Sequence, residues 1–156
     1  MDNNFNLGFS LPAVGNWAVH TFYDLVERGF DIDFSVSLKD FGGDLQRPLV
    51  WDESAKSNYI NILRLQCVFT PIVLLAPMKG NPCYRVLDGK QRLNCVLEAI
   101  KKGKIDINKE FLFVPVCQVT QALTEKQIAK LFLILNPKVI PQNANHLQNL
   151  QDFANS

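Results

Sequence analysis

Runs of apolar residues indicate where the strands of this chain lie. Apolar and polar side chains alternate over residues 31–38, which is typical of a strand with one buried face. A continuous apolar run follows Pro71 over residues 72–76, and such a run is typical of a central strand buried on both faces. Three further extended segments are predicted, at 46–51, 84–87 and 111–119.

Apolar residues recur at helical spacing in five other segments, which predicts five helices. These segments are 16–28, 52–65, 88–102, 124–135 and 143–153. Asn16 and Asp52 are placed to cap the first two helices, and Thr124 with Gln127 forms a capping-box pattern. Alternation of helices and strands in this order predicts a mixed α/β (α+β) class, with a small mixed sheet flanked by helices.

Length and composition fit one globular domain. We expect residues 1–15 to form an N-terminal arm and residues 16–156 to form the domain. The 16 basic and 15 acidic residues leave a net charge of +1, which excludes a protein that coats DNA by electrostatics alone. The four cysteines contain no C-x-x-C pair, so we expect reduced thiols in a cytoplasmic protein and no metal site. Neither a signal peptide nor a membrane-spanning run is expected.

The segment 84–100 combines a strand, a tight turn and a helix start. Gly89 permits a left-handed turn, and the helix that follows presents its positive dipole end. Lys90 and Arg92 add positive charge, so the segment predicts an anion site. A second explanation stays open, in which Asp88 and Gln91 form a capping box and the two cations are surface charges. Considered without any other motif, the capping box is the commoner arrangement.

A second stretch, residues 44–52, sets Gln46 and Arg47 beside an aromatic residue and a helix start. Asp44 and Asp52 flank this stretch, and their carboxylates are candidate ligands for Mg²⁺. Helix capping is the alternative role for Asp52, and it is the commoner one.

Several separated motifs occur along the chain in a consistent order. They read Q-R-P-x-x-W-D at 46–52, P-I-V-L at 71–74, Y-R-V-L-D-G-K-Q-R-L-N at 84–94, F-L-I-L-N at 132–136 and V-I-P at 139–141. Together they resemble the DGQQR-motif group of the ParB/sulfiredoxin-like superfamily. That group includes the N-terminal domain of GmrSD-type modification-dependent restriction enzymes, and the resemblance covers most of the chain.

The resemblance implies a site for a nucleoside triphosphate with Mg²⁺. In the family, the strand-to-helix turn of the signature binds the nucleotide and supports its hydrolysis. The residues that match the family's site are Asp88, Gly89, Gln91 and Arg92 in the signature, Gln46 and Arg47 beside it, and Asn136, which closes the pocket from a later helix. Asp88 and Gln91 are the candidates for orienting water or metal, and Lys90 is expected to assist in binding.

Two departures from the family pattern narrow these expectations. Lys90 stands where the signature has its first Gln, which favours nucleotide binding and leaves NTP hydrolysis open. The restriction enzymes also carry an HNH nuclease domain, and His20 and His146 cannot supply one, so we expect no DNA cleavage by this chain alone. The setting implied by the resemblance is DNA restriction, defence or counter-defence.

The partners expected from this reasoning are a nucleotide, and DNA or a nuclease-bearing protein, with a homo-oligomer left open. Two other functions remain alternatives. The chain could be a non-catalytic protein-binding module or decoy that keeps the fold, or a DNA-binding sensor of modified bases.

Overall fold

A five-stranded mixed sheet forms the centre of the molecule. The structure is a computed structural model, and it describes residues 14–28, 32–34, 36–45, 51–68, 70–80, 82–136 and 144–156. Its strands are β1 (Gly15–Ala18), β2 (Ile32–Asp33), β5 (Ile72–Leu75), β6 (Tyr84–Asp88) and β7 (Phe113–Val119). They are arranged in the order β1-β7-β5-β6-β2. The pairs β5–β7 and β2–β6 are parallel, and the pairs β1–β7 and β5–β6 are antiparallel. A separate two-stranded sheet joins β3 (Ser37–Leu38) to β4 (Gly43–Asp44).

Five helices accompany the sheet, and the predicted mixed α/β class is confirmed. They are α1 (Val19–Glu27), α2 (Glu53–Arg64), α3 (Lys90–Lys101), α4 (Glu125–Leu135) and α5 (Ala144–Asn155). Within the described residues, no helix has the length and apolar character that crossing a bilayer requires.

Two hydrophobic cores lie on opposite faces of the sheet because side chains alternate along each strand. Ile72 and Leu74 face the first core, which also takes buried residues from α1, α2 and α3. Val73 and Leu75 face the second core, which takes buried residues from α4, α5 and the β3–β4 region. Strand β5 is therefore buried on both faces, as its continuous apolar run predicted.

The helix predicted over residues 16–28 is only partly correct. Residues Gly15–Ala18 are extended and pair antiparallel with β7, so Asn16 lies opposite Pro115 and caps no helix. Helix α1 begins at Val19, and its N-cap Ala18 makes no side-chain capping bond. Pairing with a distant strand therefore outweighed the local helical pattern.

The strand predicted over residues 31–38 is divided between two sheets. Ile32–Asp33 adds to the main sheet beside β6, whereas Ser37–Leu38 pairs with Gly43–Asp44 in the small sheet. Gly42, at the predicted turn, has φ of 82°. Alternation correctly marked the extended backbone, but the pattern carried no signal for the change of partner.

The helices α2 and α4 begin as predicted. Asp52 caps α2 through its carboxylate, which accepts a hydrogen bond of 2.8 Å from the Ala55 N–H. Thr124 and Gln127 form the predicted capping box at the start of α4. Within α2, Ile60 is buried, whereas Ile62, which also fits the helical spacing of apolar residues, is 40% exposed.

Candidate functional site

The turn between β6 and α3 differs from its prediction at one residue. Asp88 is the last residue of β6 and pairs with Val73, and the N-cap of α3 is Gly89. The helix therefore begins later than predicted, and the capping box of Asp88 and Gln91 is not formed at this N-terminus. The part of the alternative that made Arg92 a surface charge is wrong, because its side chain is 14% exposed and pairs with the Asp88 carboxylate.

Gly89 occupies a position that requires glycine for two physical reasons. Its φ of 94° and ψ of 20° lie in the left-handed region, which side chains with a Cβ disfavour. A Cβ at this position would also lie 2.9 Å from Ile72 Cγ1 and 3.3 Å from Ile72 Cα. The turn therefore presses directly against the first residue of β5.

Arg92 forms hydrogen bonds that connect this turn to the two residues just before β5. Its Nη1 donates hydrogen bonds to the carbonyl oxygens of Thr70, at 2.8 Å, and Pro71, at 3.3 Å. Its Nη2 lies 3.2 Å from the Asp88 carboxylate, in an ion pair whose side chains are 14% and 21% exposed. Arg92 was predicted to contribute positive charge to an anion site. In the structure, both of its terminal nitrogens, Nη1 and Nη2, also have protein partners.

Lys90 and Gln91 form the start of α3, and both are half-buried. The first turn of this twelve-residue helix contains no acidic side chain. Its dipole is therefore not compensated by a carboxylate of that turn, and Lys90 adds a full positive charge beside it.

Tyr59, on α2, is a further candidate residue that the sequence motifs did not indicate. It is 6% exposed, and within the described part of the chain its hydroxyl has no hydrogen-bond partner. Burial raises the pKa of Tyr59 to about 12, and the positive charge of Arg92 opposes that rise. The Arg92 charge therefore acts on the hydroxyl, and the Trp51 ring packs edge-on against Tyr59, with the ring centroids 5.5 Å apart.

The remaining predicted site residues are placed less directly. Asn136 is the C-cap of α4, and its side-chain amide donates a 2.9 Å hydrogen bond to the Phe132 carbonyl. Its amide therefore completes the end of that helix. Gln46 and Arg47 lie outside the described residues.

Candidate metal ligands are dispersed. In the described ranges, no group of three or more His, Cys, Asp or Glu side chains is close enough together to hold a metal ion. The Asp52 carboxylate is used as a helix cap, and Asp44 lies in the small sheet. Asp88 is the carboxylate that adjoins the Gly89 turn.

Tyr59, Thr70 and Pro71 were missed as contributors to this site because their contacts are long-range. The carbonyls of Thr70 and Pro71 are separated from Arg92 by more than twenty positions along the chain. A possible signal was the placement of a tyrosine among aliphatic core positions, since a buried hydroxyl usually has a partner.

Comparison of the chain with models of known families, with curated proteins and with solved structures found no match.

Proposed function

We propose that this chain is a nucleotide-binding domain in which the Asp88–Arg92 turn holds the phosphates of a nucleoside triphosphate. The observation that carries the proposal is the left-handed Gly89 at the N-cap of α3, which lies against β5 and is followed by two cations in the first turn of the helix. A glycine turn between a strand and a helix N-terminus lets an anion approach the backbone closely. The motif resemblance implies a nucleotide site at this turn as well.

The contacts assign different roles to the two cations of the turn. Arg92 acts as a positioning residue, because its guanidinium holds Asp88 and the entrance of β5 together. Lys90, in the first turn of the helix, is the better candidate for contacting phosphate directly, as a compact charge on a flexible side chain. Arg47 would supply further charge if it approaches the turn.

The Tyr59 hydroxyl supports a ligand beside Arg92. A buried hydroxyl without a hydrogen bond costs about 1 to 3 kcal/mol, so such a group is retained more readily where a ligand can satisfy it. Because the hydroxyl is enclosed, a phosphate or ribose oxygen would accept its hydrogen bond only after neighbouring side chains shift.

The residues fit a magnesium–nucleotide complex better than a bare metal ion. Mg²⁺ bound to a triphosphate takes most of its ligands from phosphate oxygens and water, and needs one or two carboxylates. Asp88 is the carboxylate at the turn that meets this requirement. Within the proposed function, Asp88 and Gln91 would orient metal or water if the nucleotide is hydrolysed.

A thermal-shift experiment tests the proposal. ATP, GTP and CTP are each titrated with Mg²⁺ against the wild type, Lys90→Ala and Lys101→Ala, and phosphate release is followed in parallel. A nucleotide at about 100 times its Kd stabilises a protein by about 2.7 kcal/mol, which raises Tm by several degrees. We expect this rise in the wild type and in Lys101→Ala, and its loss in Lys90→Ala.

The variant Lys101→Ala is the matched control, because Lys101 is an exposed lysine in the last turn of the same helix. Arg92→Ala is less suitable as a binding variant, since its removal leaves Asp88 and two carbonyls without their donor. Absence of a Tm shift with every nucleotide at millimolar concentration would refute the proposal.

A protein-binding module is the second candidate function, and exposed aromatic residues favour it. Phe111 and Phe113 are 70% and 47% exposed. Phe113 begins β7 opposite Ala18 of the edge strand β1, and Phe111 lies two residues before it. Exposed apolar groups at a sheet edge are suited to pairing with another chain. A failed nucleotide titration would leave this candidate as the better explanation.

A further inference from the structure

A groove between α2 and α3 forms a concave site whose lining contains none of the residues of the Gly89 turn. Its volume is about 300 Å³, at the lower end of the range for small-molecule sites. The groove exists because small side chains face each other at helical spacing of four: Ser57 and Asn61 on α2, and Cys95 and Ala99 on α3. None of them is long enough to fill the space between the helices.

The floor of the groove is apolar and belongs to the first core. Ile60, Cys95 and Ala99 contribute to its lining, and their residues are 6%, 3% and 4% exposed. The Cys95 thiol is directed toward the Lys56 carbonyl at 3.4 Å, and burial raises the pKa of that thiol. The floor therefore offers a neutral surface that suits a hydrocarbon or aromatic group.

The rim of the groove is cationic. Four of its lining residues, Lys56, Arg64, Lys102 and Lys104, are basic, and one, Glu98, is acidic. Two carboxylates outside the lining also pair with these cations, Glu53 with Lys56 and Lys104 and Glu110 with Arg64, so the four cations exceed the carboxylates by one. Glu98 pairs with both Lys56 and Lys102, and these two partners lower the pKa of Glu98 to about 2. Ion pairs with Glu98 therefore keep the Lys56 and Lys102 ammonium groups at the rim of the groove.

These ion pairs do not prevent a ligand from binding. Lys102 and Lys104 are 53% and 55% exposed, and Arg64, paired with Glu110, is 40% exposed. Ion pairs at such exposure are weak, because water screens the two charges. An incoming anion can replace an existing carboxylate partner at small cost, while its apolar part gains from burial on the floor.

From this combination we infer that the α2–α3 groove binds a small amphipathic anion: a compact aromatic or short aliphatic group carrying one carboxylate, sulfonate or phosphate. The apolar floor favours a ligand with an aromatic or aliphatic group, and the excess of cations at the rim favours a negative charge on that ligand. The site does not depend on nucleotide binding at the Gly89 turn.

Fluorescence of anilinonaphthalene sulfonate tests this inference, because the probe is an aromatic anion that brightens in apolar surroundings. We expect the folded protein to bind it and octanoate to displace it, whereas octylammonium, with a similar body and opposite charge, does not. Asn61→Trp fills the groove from the exposed side of α2, and Lys102→Glu reverses one rim charge. Each is expected to weaken probe binding by about tenfold or more, equivalent to about 1.4 kcal/mol.

Two control variants separate this site from its alternatives. Lys101→Glu makes the same change in charge one residue away, outside the lining, and Lys90→Ala alters the Gly89 turn. Both should bind the probe with wild-type affinity, whatever the result of the nucleotide titration. Equal affinity in all variants, displacement by octylammonium as effective as by octanoate, or no binding of the probe at millimolar concentration would each overturn the inference.

Discussion

At the scale of single residues, the Gly89 turn depends on atoms that are distant in the chain. Arg92 donates to the carbonyls of Thr70 and Pro71, and Gly89 leaves room for Ile72. These contacts fix where the N-terminus of α3 points. Any ligand bound there would meet a preorganised backbone, which lowers the entropic cost of binding.

Substitution of Gly89 tests this close approach. Gly89→Ala incurs the cost of a positive φ and a clash with Ile72, so we expect a loss of about 2 to 5 kcal/mol in the free energy of unfolding. Gly103→Ala is the control, because Gly103 has φ of 74° and open space around its Cα. It should lose only about 1 to 2 kcal/mol. Denaturant titration measures both, and equal losses would show that the clash at Ile72 is unimportant.

The Tyr59 hydroxyl predicts a change in stability at alkaline pH. The folded-state pKa of about 12 lies above the unfolded value of 10, so the stabilisation is complete below pH 10 and is lost as pH rises toward 12. Tyr59→Phe has no ionisable hydroxyl, so we expect its Tm to fall less than that of the wild type over this interval. Parallel pH–Tm curves for the two proteins would contradict the assignment.

At neutral pH and without ligand, the same variant should be as stable as the wild type or slightly more stable. The reason is that it removes a buried hydroxyl that has no partner among the described residues. A loss of more than about 1 kcal/mol on Tyr59→Phe would instead indicate a hydrogen bond to the hydroxyl in the folded protein.

At the scale of elements, Glu125 connects the β3–β4 hairpin to α4. Its two carboxylate oxygens accept hydrogen bonds of 2.8 Å from the backbone N–H groups of Lys39 and Asp40. The carboxylate also lies in the first turn of α4, where the helix dipole favours negative charge. This contact fixes the hairpin from which the chain continues toward Gln46 and Arg47.

Hydrogen exchange can measure this connection. In Glu125→Ala, the amides of Lys39 and Asp40 lose their acceptor, so we expect them to exchange at least about tenfold faster, consistent with the loss of more than 1 kcal/mol of protection. The amide of Ile128 donates to the Thr124 carbonyl within α4 and serves as the internal control. Unchanged exchange at Lys39 and Asp40 would show that the hairpin is held by other contacts.

At the scale of the whole molecule, the two cores should unfold together because β5 contributes to both. Leu74 faces the first core and Leu75 the second, and they are 0% and 2% exposed. Each Leu→Ala change should cost about 2 to 5 kcal/mol. Trp17 and Trp51 both pack against the first core. If the two cores unfold together, their fluorescence should also report the loss of stability caused by Leu75→Ala in the second core.

Denaturant unfolding followed by tryptophan fluorescence and by circular dichroism checks this prediction. We expect Leu75→Ala to shift the fluorescence midpoint as Leu74→Ala does, with coincident transitions from the two signals. A fluorescence midpoint unaffected by Leu75→Ala would show that the two faces of the sheet unfold independently.

Local signals accounted for much of the fold. Caps at Asp52 and Thr124, the buried run of β5 and the mixed α/β class were all predictable, because each is encoded by neighbouring residues. The errors lie where a distant partner decides. Residues 15–18 became a strand through pairing with β7, and residues 31–38 were divided between two sheets.

A strand, a glycine turn and a helix with two cations in its first turn could be read from residues 84–100 alone, since they follow from spacing and backbone preference. Three features could not: the hydrogen bonds from Arg92 to the start of β5, the buried Tyr59 hydroxyl, and the groove that small residues leave between α2 and α3. Hydrogen-bond partners, burial and cavities arise from atoms far apart in the chain, so their positions are set only when the elements pack.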